Sequence, residues 1–135
     1  MKITIDDDET TRFECDHGAR RVTIVRRGIL DLETLVGHIA RMRELDIWSY
    51  SVLVDAQRVP TSLCPEQTQE WIRRVHALGD PVRLGPIAVV ASDDLTFGMV
   101  RMIAGLSDSM GIRMRVFRQI ANAESWLISS APPRH

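Results

Sequence analysis

Apolar residues along this chain follow two kinds of pattern, one with a period near two residues and one with the period of a helix. Short alternating or continuous apolar runs that end in turn residues predict β-strands. Six segments are predicted as strands, at residues 2–5, 11–15, 21–27, 51–56, 85–91 and 112–117. The runs at 51–56 and 85–91 are apolar without alternation, which is typical of strands buried on both faces of a parallel sheet.

Amphipathic segments separate the later strands and predict four helices. The first helix begins after Asp31, a candidate N-cap, and the second begins near Pro65 and ends at Gly79. The third starts at residues 92–94, and a short fourth helix is predicted with Asn122 as its cap. The inner apolar stripes are predicted to be Leu32, Leu35, Val36, Ile39 and Met42 in the first helix and Trp71, Ile72, Val75 and Leu78 in the second. This order of elements predicts a mostly parallel sheet with right-handed crossovers.

The length of 135 residues is enough for one compact domain, which we place at residues 1–130. The Pro-rich segment 131–135 is predicted to be a flexible C-terminal tail. A domain of this size buries enough apolar surface to fold without a disulfide or a structural metal. No apolar run approaches the roughly 20 residues of a membrane span, and the N-terminal segment has no apolar signal core, so we expect a cytoplasmic protein.

The charged and sulfur-containing residues argue against several classes of function. The net charge of −1 argues against a broad nucleic-acid surface. Lys2 is the only lysine, which argues against Schiff-base and phosphate-loop lysine chemistry. Cys15 and Cys64 have no metal-ligand spacing and are expected to be reduced thiols. No such spacing links the four histidines, which are His17, His38, His76 and His135. We expect His38 and His76 at a helix boundary or on the surface, and we expect neither a cofactor nor a metal.

Three carboxylates raise the alternative of a receiver-like phosphoacceptor site. Asp7 and Asp8 follow the first strand and Asp55 ends a buried strand, as in the acidic pocket of a response-regulator receiver domain, with Ser92 as the hydroxyl residue. Two features depart from that pattern: the acids lead into strands instead of a helix, and Arg118 stands where a receiver has a lysine. The other interpretation of the acidic stretch is a solvated turn.

Two segments carry a family resemblance. They are "VASDDLTFGMVRM" at residues 90–102 and the ending "VFR…AESWL" within residues 116–127. With the general α/β pattern around them, roughly residues 10–128 resemble the SpoIIAA-like family, which shares its fold with STAS domains of the anti-sigma-factor antagonist type. The resemblance implies a single α/β domain with a four- to five-stranded mixed sheet, an N-terminal β-hairpin and about four helices packed mainly on one side. It implies no clear enzymatic activity.

The loop after the strand at residues 51–56 is a candidate regulatory segment. STAS domains that act as phospho-switches carry an Asp-Ser pair where the next helix opens, and Thr61 and Ser62 lie near that place. Asp55 comes several residues too early, and Arg58 lies between. A phosphate on a hydroxyl at a helix start would be stabilised by free backbone N–H groups. The alternative is ordinary loop polarity at Asp55, Arg58, Thr61 and Ser62.

Ser92, Asp93 and Asp94 lie where a predicted strand runs into the third helix. Ser92 or Asp93 can accept hydrogen bonds from the unpaired backbone N–H groups of the first turn, an effect worth roughly 1 kcal/mol. Both carboxylates also favour the positive end of the helix dipole. We therefore predict that these residues cap the helix, and that any charged contact there involves a cation.

The third helix carries more apolar surface than packing on one sheet requires. One stripe is predicted to contain Leu95, Met99, Met102, Ile103 and Leu106. The candidate interface residues are Phe97, Gly98, Val100, Arg101 and Ala104. The surplus favours contact with a neighbouring helix of the same chain or with a second subunit, and Gly98 would permit a close approach.

These features favour a non-enzymatic STAS-like interaction or regulatory module. We expect a homodimer with a regulatory protein partner and without nucleic acid. A second hypothesis is a small apolar-ligand or lipid binder of the SEC14-like type, with a groove lined by Met99, Met102, Met110 or Trp71. An enzyme is the third hypothesis and is not favoured, because no histidine is reliably placed beside the carboxylates near the strand ends.

Overall fold

The computed structural model describes residues 1–130, and the predicted tail at residues 131–135 lies outside the described residues. The strands are β1 (Lys2–Asp7), β2 (Thr11–Asp16), β3 (Arg21–Arg26), β4 (Ser51–Asp55), β5 (Ile87–Val90) and β6 (Met114–Phe117). The helices are α1 (Leu32–Glu44), α2 (Thr68–Leu78), α3 (Asp94–Asp108) and α4 (Ile120–Ser130), and a 3-10 turn at Pro65–Gln67 precedes α2. The predicted α/β class is confirmed. The predicted cap at Asn122 is wrong, because α4 begins two residues earlier at Ile120.

The strands form one mixed sheet in the order in which they follow one another along the chain. β1, β2 and β3 pair antiparallel, whereas β3, β4, β5 and β6 pair parallel. The sheet has six strands, one for each predicted segment, where the family resemblance implied four to five, because β1 also joins the sheet by pairing along β2. The order leaves β1 at one edge of the sheet and β6 at the other.

The direction of the connections decides which face of the sheet each helix covers. Each parallel connection steps one strand further in the same direction, so right-handed crossovers bring α1, α2 and α3 to one face. The main core lies under these helices. α4 packs on the opposite face, where Ala123 and Leu127 cover Leu53, Ala88 and Val90. The expectation of helices packed mainly on one side is therefore confirmed, with α4 as the exception.

Local signals in the sequence account for the first helix. The Asp31 carboxylate accepts a hydrogen bond from the Thr34 backbone N–H at 2.8 Å, and the Asp31 backbone N–H donates to the Thr34 hydroxyl at 3.3 Å. These two bonds form a capping box, so the predicted N-cap is present. All five residues of the predicted apolar stripe are buried against the sheet: Leu32, Leu35, Val36, Ile39 and Met42.

Two basic side chains lie inside the main core. Arg26, on the inner face of β3, is only 4% exposed and donates to the Thr11 hydroxyl and to the Ile29 carbonyl. His38 on α1 is 8% exposed, which corrects the expected boundary or surface position. Its Nε2 has no hydrogen-bond partner among the described residues. Burial, assisted by the charge of Arg26, lowers the pKa of His38 from 6.5 to about 4.

The buried imidazole predicts loss of stability in mild acid. Between pH 6.5 and about 4 the unfolded chain binds a proton at His38 that the folded protein does not, so the free energy of unfolding falls as the pH falls. At about 1.4 kcal/mol for each pKa unit, this loss should reach roughly 2–3 kcal/mol near pH 4.5. Urea unfolding at neutral pH and near pH 4.5 measures it. His38→Leu should remove most of the change, and His76→Leu, on the exposed side of α2, should keep it. Equal pH dependence in both variants would contradict this account.

A second prediction concerns Gly85, where the chain entering β5 meets the segment before β4. The Gly85 N–H donates to the Trp48 carbonyl at 3.1 Å, and an added Cβ would lie 1.9 Å from the Tyr50 carbonyl oxygen. Because that neighbour is backbone, Gly85→Ala should lower the free energy of unfolding by about 3 kcal/mol or more. Gly37→Ala on α1, where a Cβ meets nothing within 4 Å, should instead raise it by up to about 1 kcal/mol. Chemical denaturation distinguishes the two outcomes, and equal stabilities would be inconsistent with the close approach.

Candidate interaction surface

Helix α3 divides its apolar residues between the core and the solvent. The buried side consists of Thr96, Val100, Ile103, Ala104 and Ser107. Four large apolar side chains on or just after the helix are each 49–60% exposed: Leu95, Met102, Leu106 and Met110. We call these four residues the α3 apolar stripe. Scattered apolar residues are ordinary on protein surfaces, whereas several exposed on one side of a helix make that side a candidate interaction surface.

The structure corrects two of the predicted interface residues. Val100 and Ala104 pack in the main core, so they cannot form an exposed contact. Phe97 is half-buried, and Gly98 and Arg101 are exposed. The sequence predicted surplus apolar surface on α3, but the side that meets the sheet is the one with small and β-branched residues, because they let the helix lie close to the strands.

Two glycines border the α3 apolar stripe. Gly98 and Gly105 are exposed, and a Cβ added at either position would meet nothing within 4 Å. No side chain projects from α3 at these two positions beside the stripe, so the backbone of a second helix could approach closely there.

The α3 apolar stripe continues into an open depression between α3 and α2. Leu106 and Met110 line it from the side of α3, and Ile72 and His76 line it from α2, around a volume of about 650 Å³. Trp71, which was expected beside such a groove, is buried in the main core instead. The depression is a surface feature, and its apolar lining extends the stripe.

The residues at the start of α3 are engaged in capping and in a cation contact. The Asp93 carboxylate accepts hydrogen bonds from the Thr96 backbone N–H at 2.9 Å and from the Thr96 hydroxyl at 3.0 Å. These bonds hold the pKa of Asp93 below its ordinary value. Asp94 pairs with Arg118 at 2.6 Å, and the Arg118 guanidinium lies 4.3 Å from the centre of the Phe97 ring. Arg118 also donates to the Ser92 carbonyl at 3.1 Å.

The candidate regulatory loop after β4 is shaped by its own hydrogen bonds. Asp55 accepts from the Gln57 backbone N–H at 3.2 Å and from the Gln57 side-chain amide at 3.1 Å. The Thr61 hydroxyl donates to the Leu30 carbonyl at 2.6 Å, which holds the loop against the segment before α1. Ser62 and Arg58 are exposed. Thr61 thus has a structural contact, and Ser62 is the accessible hydroxyl of the pair.

The three carboxylates of the receiver-like alternative do not converge. β1 and β4 are separated by β2 and β3, so Asp7 and Asp55 lie on strands about 14 Å apart at the usual strand spacing. Asp7 pairs with Arg27 at 2.6 Å, and Asp8 accepts from the backbone N–H groups of its own turn. The acidic stretch is therefore a solvated turn at the sheet edge, and the phosphoacceptor hypothesis is wrong in this arrangement.

The side chains and helices of the described residues also bear on metal binding and membrane insertion. Residues 1–130 contain no group of three or more His, Cys, Asp or Glu side chains that could hold a metal ion. Both cysteines are free thiols, with Cys15 buried and Cys64 half-buried. Within the same residues, none of the helices has the length and apolar character needed to cross a membrane.

Comparison with solved structures shows that this chain has a SpoIIAA-like fold, as the sequence segments at residues 90–102 and 116–127 implied. One match is the crystal structure of an uncharacterised protein of the DUF3478 family from Shewanella loihica PV-4, described with a SpoIIAA-like fold. The two chains are 12% identical with a TM-score of 0.56, and the alignment covers 90% of this chain and 97% of the other. No family model matches the sequence, and no curated protein matches it.

Neighbouring acids at the start of α3 should differ in their effect on stability. Asp93→Ala removes the N-cap and should lower the free energy of unfolding by about 1 kcal/mol. Asp94→Ala removes an ion pair whose two side chains are largely exposed, and it should change that energy by less than about 0.5 kcal/mol. Urea denaturation of the two variants measures the difference, and a larger loss for Asp94→Ala would contradict the assignment of Asp93 as the cap.

Proposed function

We propose that this chain is a non-enzymatic STAS-like interaction module that forms a homodimer through the α3 apolar stripe. The observation that carries the proposal is the row of four half-exposed apolar side chains along one face of α3. The first and last of them are 15 positions apart, which corresponds to about 22 Å at 1.5 Å per residue. A row of this length is better explained by a second folded surface than by a small ligand.

Helix geometry supports a second copy of this chain as the occupant. A dimer with twofold symmetry uses the same patch on both subunits, and two copies of α3 would then run antiparallel. With the symmetry axis beside Met102, Gly98 lies level with Leu106 of the second copy, and Met99 lies level with Gly105 of the second copy. Leu106 and Met99 therefore each lie level with a glycine of the opposing helix, and Met102 lies level with Met102 of the second copy. The centre of the stripe can thus pack against the same patch of the second copy.

The apolar-ligand alternative has less support. Trp71 lies in the core, and the depression between α2 and α3 is open to solvent. A lipid-carrying site normally encloses most of its ligand. The absence of enzymatic activity is proposed because Asp93 and Asp55 are occupied in capping and turn formation. A cytoplasmic location and a regulatory protein partner belong to the same proposal and rest on the resemblance of the fold.

The dimer is tested by light scattering coupled to size-exclusion chromatography over a range of protein concentrations. The unmodified chain should be dimeric, and Leu106→Asp should be monomeric, because a charge in the centre of an apolar contact is costly to bury. Ile128→Asp is the matched control, since Ile128 on α4 is 69% exposed but lies on the opposite face of the sheet. This variant should remain dimeric.

A second variant separates loss of the dimer from loss of the fold. Gly98→Leu adds a side chain where a Cβ meets nothing within the subunit, so α3 should be at least as stable as before. It should nevertheless weaken the dimer, because the added side chain fills the low surface that the second copy approaches. A monomeric unmodified protein, or a dimer that survives both Leu106→Asp and Gly98→Leu, would overturn the proposal.

A further inference from the structure

The outer side of β6 is an unpaired edge of the sheet. β6 pairs with β5 only, and no strand within residues 1–130 lies on its other side. The carbonyls of Arg113 and Phe117 accept from the backbone N–H groups of β5 and the residue after it, at 2.9 Å each. Because backbone groups alternate in direction along a strand, the N–H and C=O groups of Met114 and Val116 point outward. An edge of this kind is a template for an added strand.

A groove of about 690 Å³ runs along this edge between α3 and α4. Phe97 and Arg101 line it from α3, and Trp126 lines it from α4. Side chains of β6 alternate between the two walls: Met114 packs toward the core under α3, whereas the Arg115 guanidinium lies 5.9 Å from the centre of the Trp126 ring. The groove thus combines free backbone groups with apolar and aromatic walls.

The charge of the groove is positive. Arg101, Arg113 and Arg115 line it, and none of the three forms an ion pair with a carboxylate of the described residues. Within residues 1–130, Arg113 donates to two backbone carbonyls, those of Ser130 and Leu84, at 3.2 Å each. Among the described residues, Asp108 contributes the one negative charge in the lining. Arginines keep their charge at every pH of interest and bind carboxylates with two parallel hydrogen bonds.

Charge also decides against pairing between two copies of β6, because that would bring the arginines of one edge against those of the other. The opposite edge of the sheet is less suited to accept a strand. β1 has a register irregularity between Thr4 and Asp6, and bulges of this kind protect edges from further pairing. The acids of β1 are also engaged, since Asp6 pairs with Arg41 and Asp7 pairs with Arg27.

We propose that β6 accepts an extended acidic peptide segment of a partner protein as a seventh strand of the sheet. The added strand would lie about 4.8 Å from β6 and would hydrogen-bond to its outward backbone groups. Its alternate side chains would point to the two walls of the groove. Carboxylates on the side of α4 would meet Arg113 and Arg115, and apolar side chains on the side of α3 would pack against Phe97 and Val116. A sequence that alternates acidic and apolar residues therefore fits this edge.

Fluorescence anisotropy with defined peptides tests this surface on the full chain. The probe is a labelled octapeptide that alternates glutamate and valine, and the control probe alternates lysine and valine. At low salt the acidic peptide should bind at least about tenfold more tightly, and its affinity should fall as salt screens the arginines. Equal affinity for the two peptides would overturn the proposal.

Backbone methylation distinguishes an added strand from simple charge attraction. Two further acidic peptides carry N-methyl groups on either the glutamate or the valine nitrogens. Only one of these two sets of N–H groups faces β6 in an added strand, so one methylated peptide should lose binding and the other should retain it. If both methylated peptides bind as the parent does, the peptide is held by charge alone and the proposed strand is excluded.

Protein variants locate the site. Arg115→Glu should weaken binding of the acidic peptide by at least about tenfold, since it replaces an attraction with a repulsion. Arg43→Glu makes the same change of net charge on an exposed side of α1, far from β6, and should leave the affinity nearly unchanged. Equal effects of the two variants on peptide affinity would contradict a binding site at β6. The dimer proposed above is centred on the stripe side of α3 and shares only Gly105 with the lining of the groove. Leu106→Asp should therefore leave peptide binding intact, and either proposal can fail alone.

Discussion

The burial of β4 and β5 on both faces is the constraint on which the rest of the structure depends. The first four residues of β4 and all four of β5 are buried, so both faces of the sheet must be covered there. Because successive parallel strands are laid down in one direction, three right-handed crossovers supply helices to one face only. α4 covers the other face of the sheet. The edge strand β6 therefore lies between α3 on one face and α4 on the other, and its outer backbone groups remain unpaired within residues 1–130.

Helix α3 is the last of the three helices on its face, and this position explains why it has two exposed flanks of different character. The flank toward α2 carries the α3 apolar stripe, and the flank toward the sheet edge carries Phe97 and Arg101 beside Arg113 and Arg115. The two acids at the start of α3 both have partners within the chain. Asp93 accepts a hydrogen bond from the Thr96 backbone N–H, and Asp94 forms an ion pair with Arg118. The groups of α3 that remain free to bind a partner are therefore exposed apolar and arginine side chains on its two flanks.

Much of the fold could be predicted from the sequence because local patterns determine it. The Asp31 cap and the apolar stripe of α1 lie as predicted, and the apolar runs became β4 and β5. The exposed face of α3 was harder to predict. This helix has apolar residues on two faces, and packing against the sheet decides which of the two is buried. The burial of Arg26 and His38 follows from long-range packing that no local pattern reveals. The edge position of β6 depends on strand order, which sequence periodicity does not contain.

The distribution of cations across the sheet has a practical consequence. The only lysine is Lys2, which lies on β1, and all the other basic residues apart from histidine are arginines. Five strand spacings separate β1 from β6, so the side-chain amine is about 24 Å across the sheet from the open edge. A reagent that couples to the lysine amine would therefore tether every molecule by the same strand. Each tethered molecule would then present β6 and α3 to the solution in the same orientation.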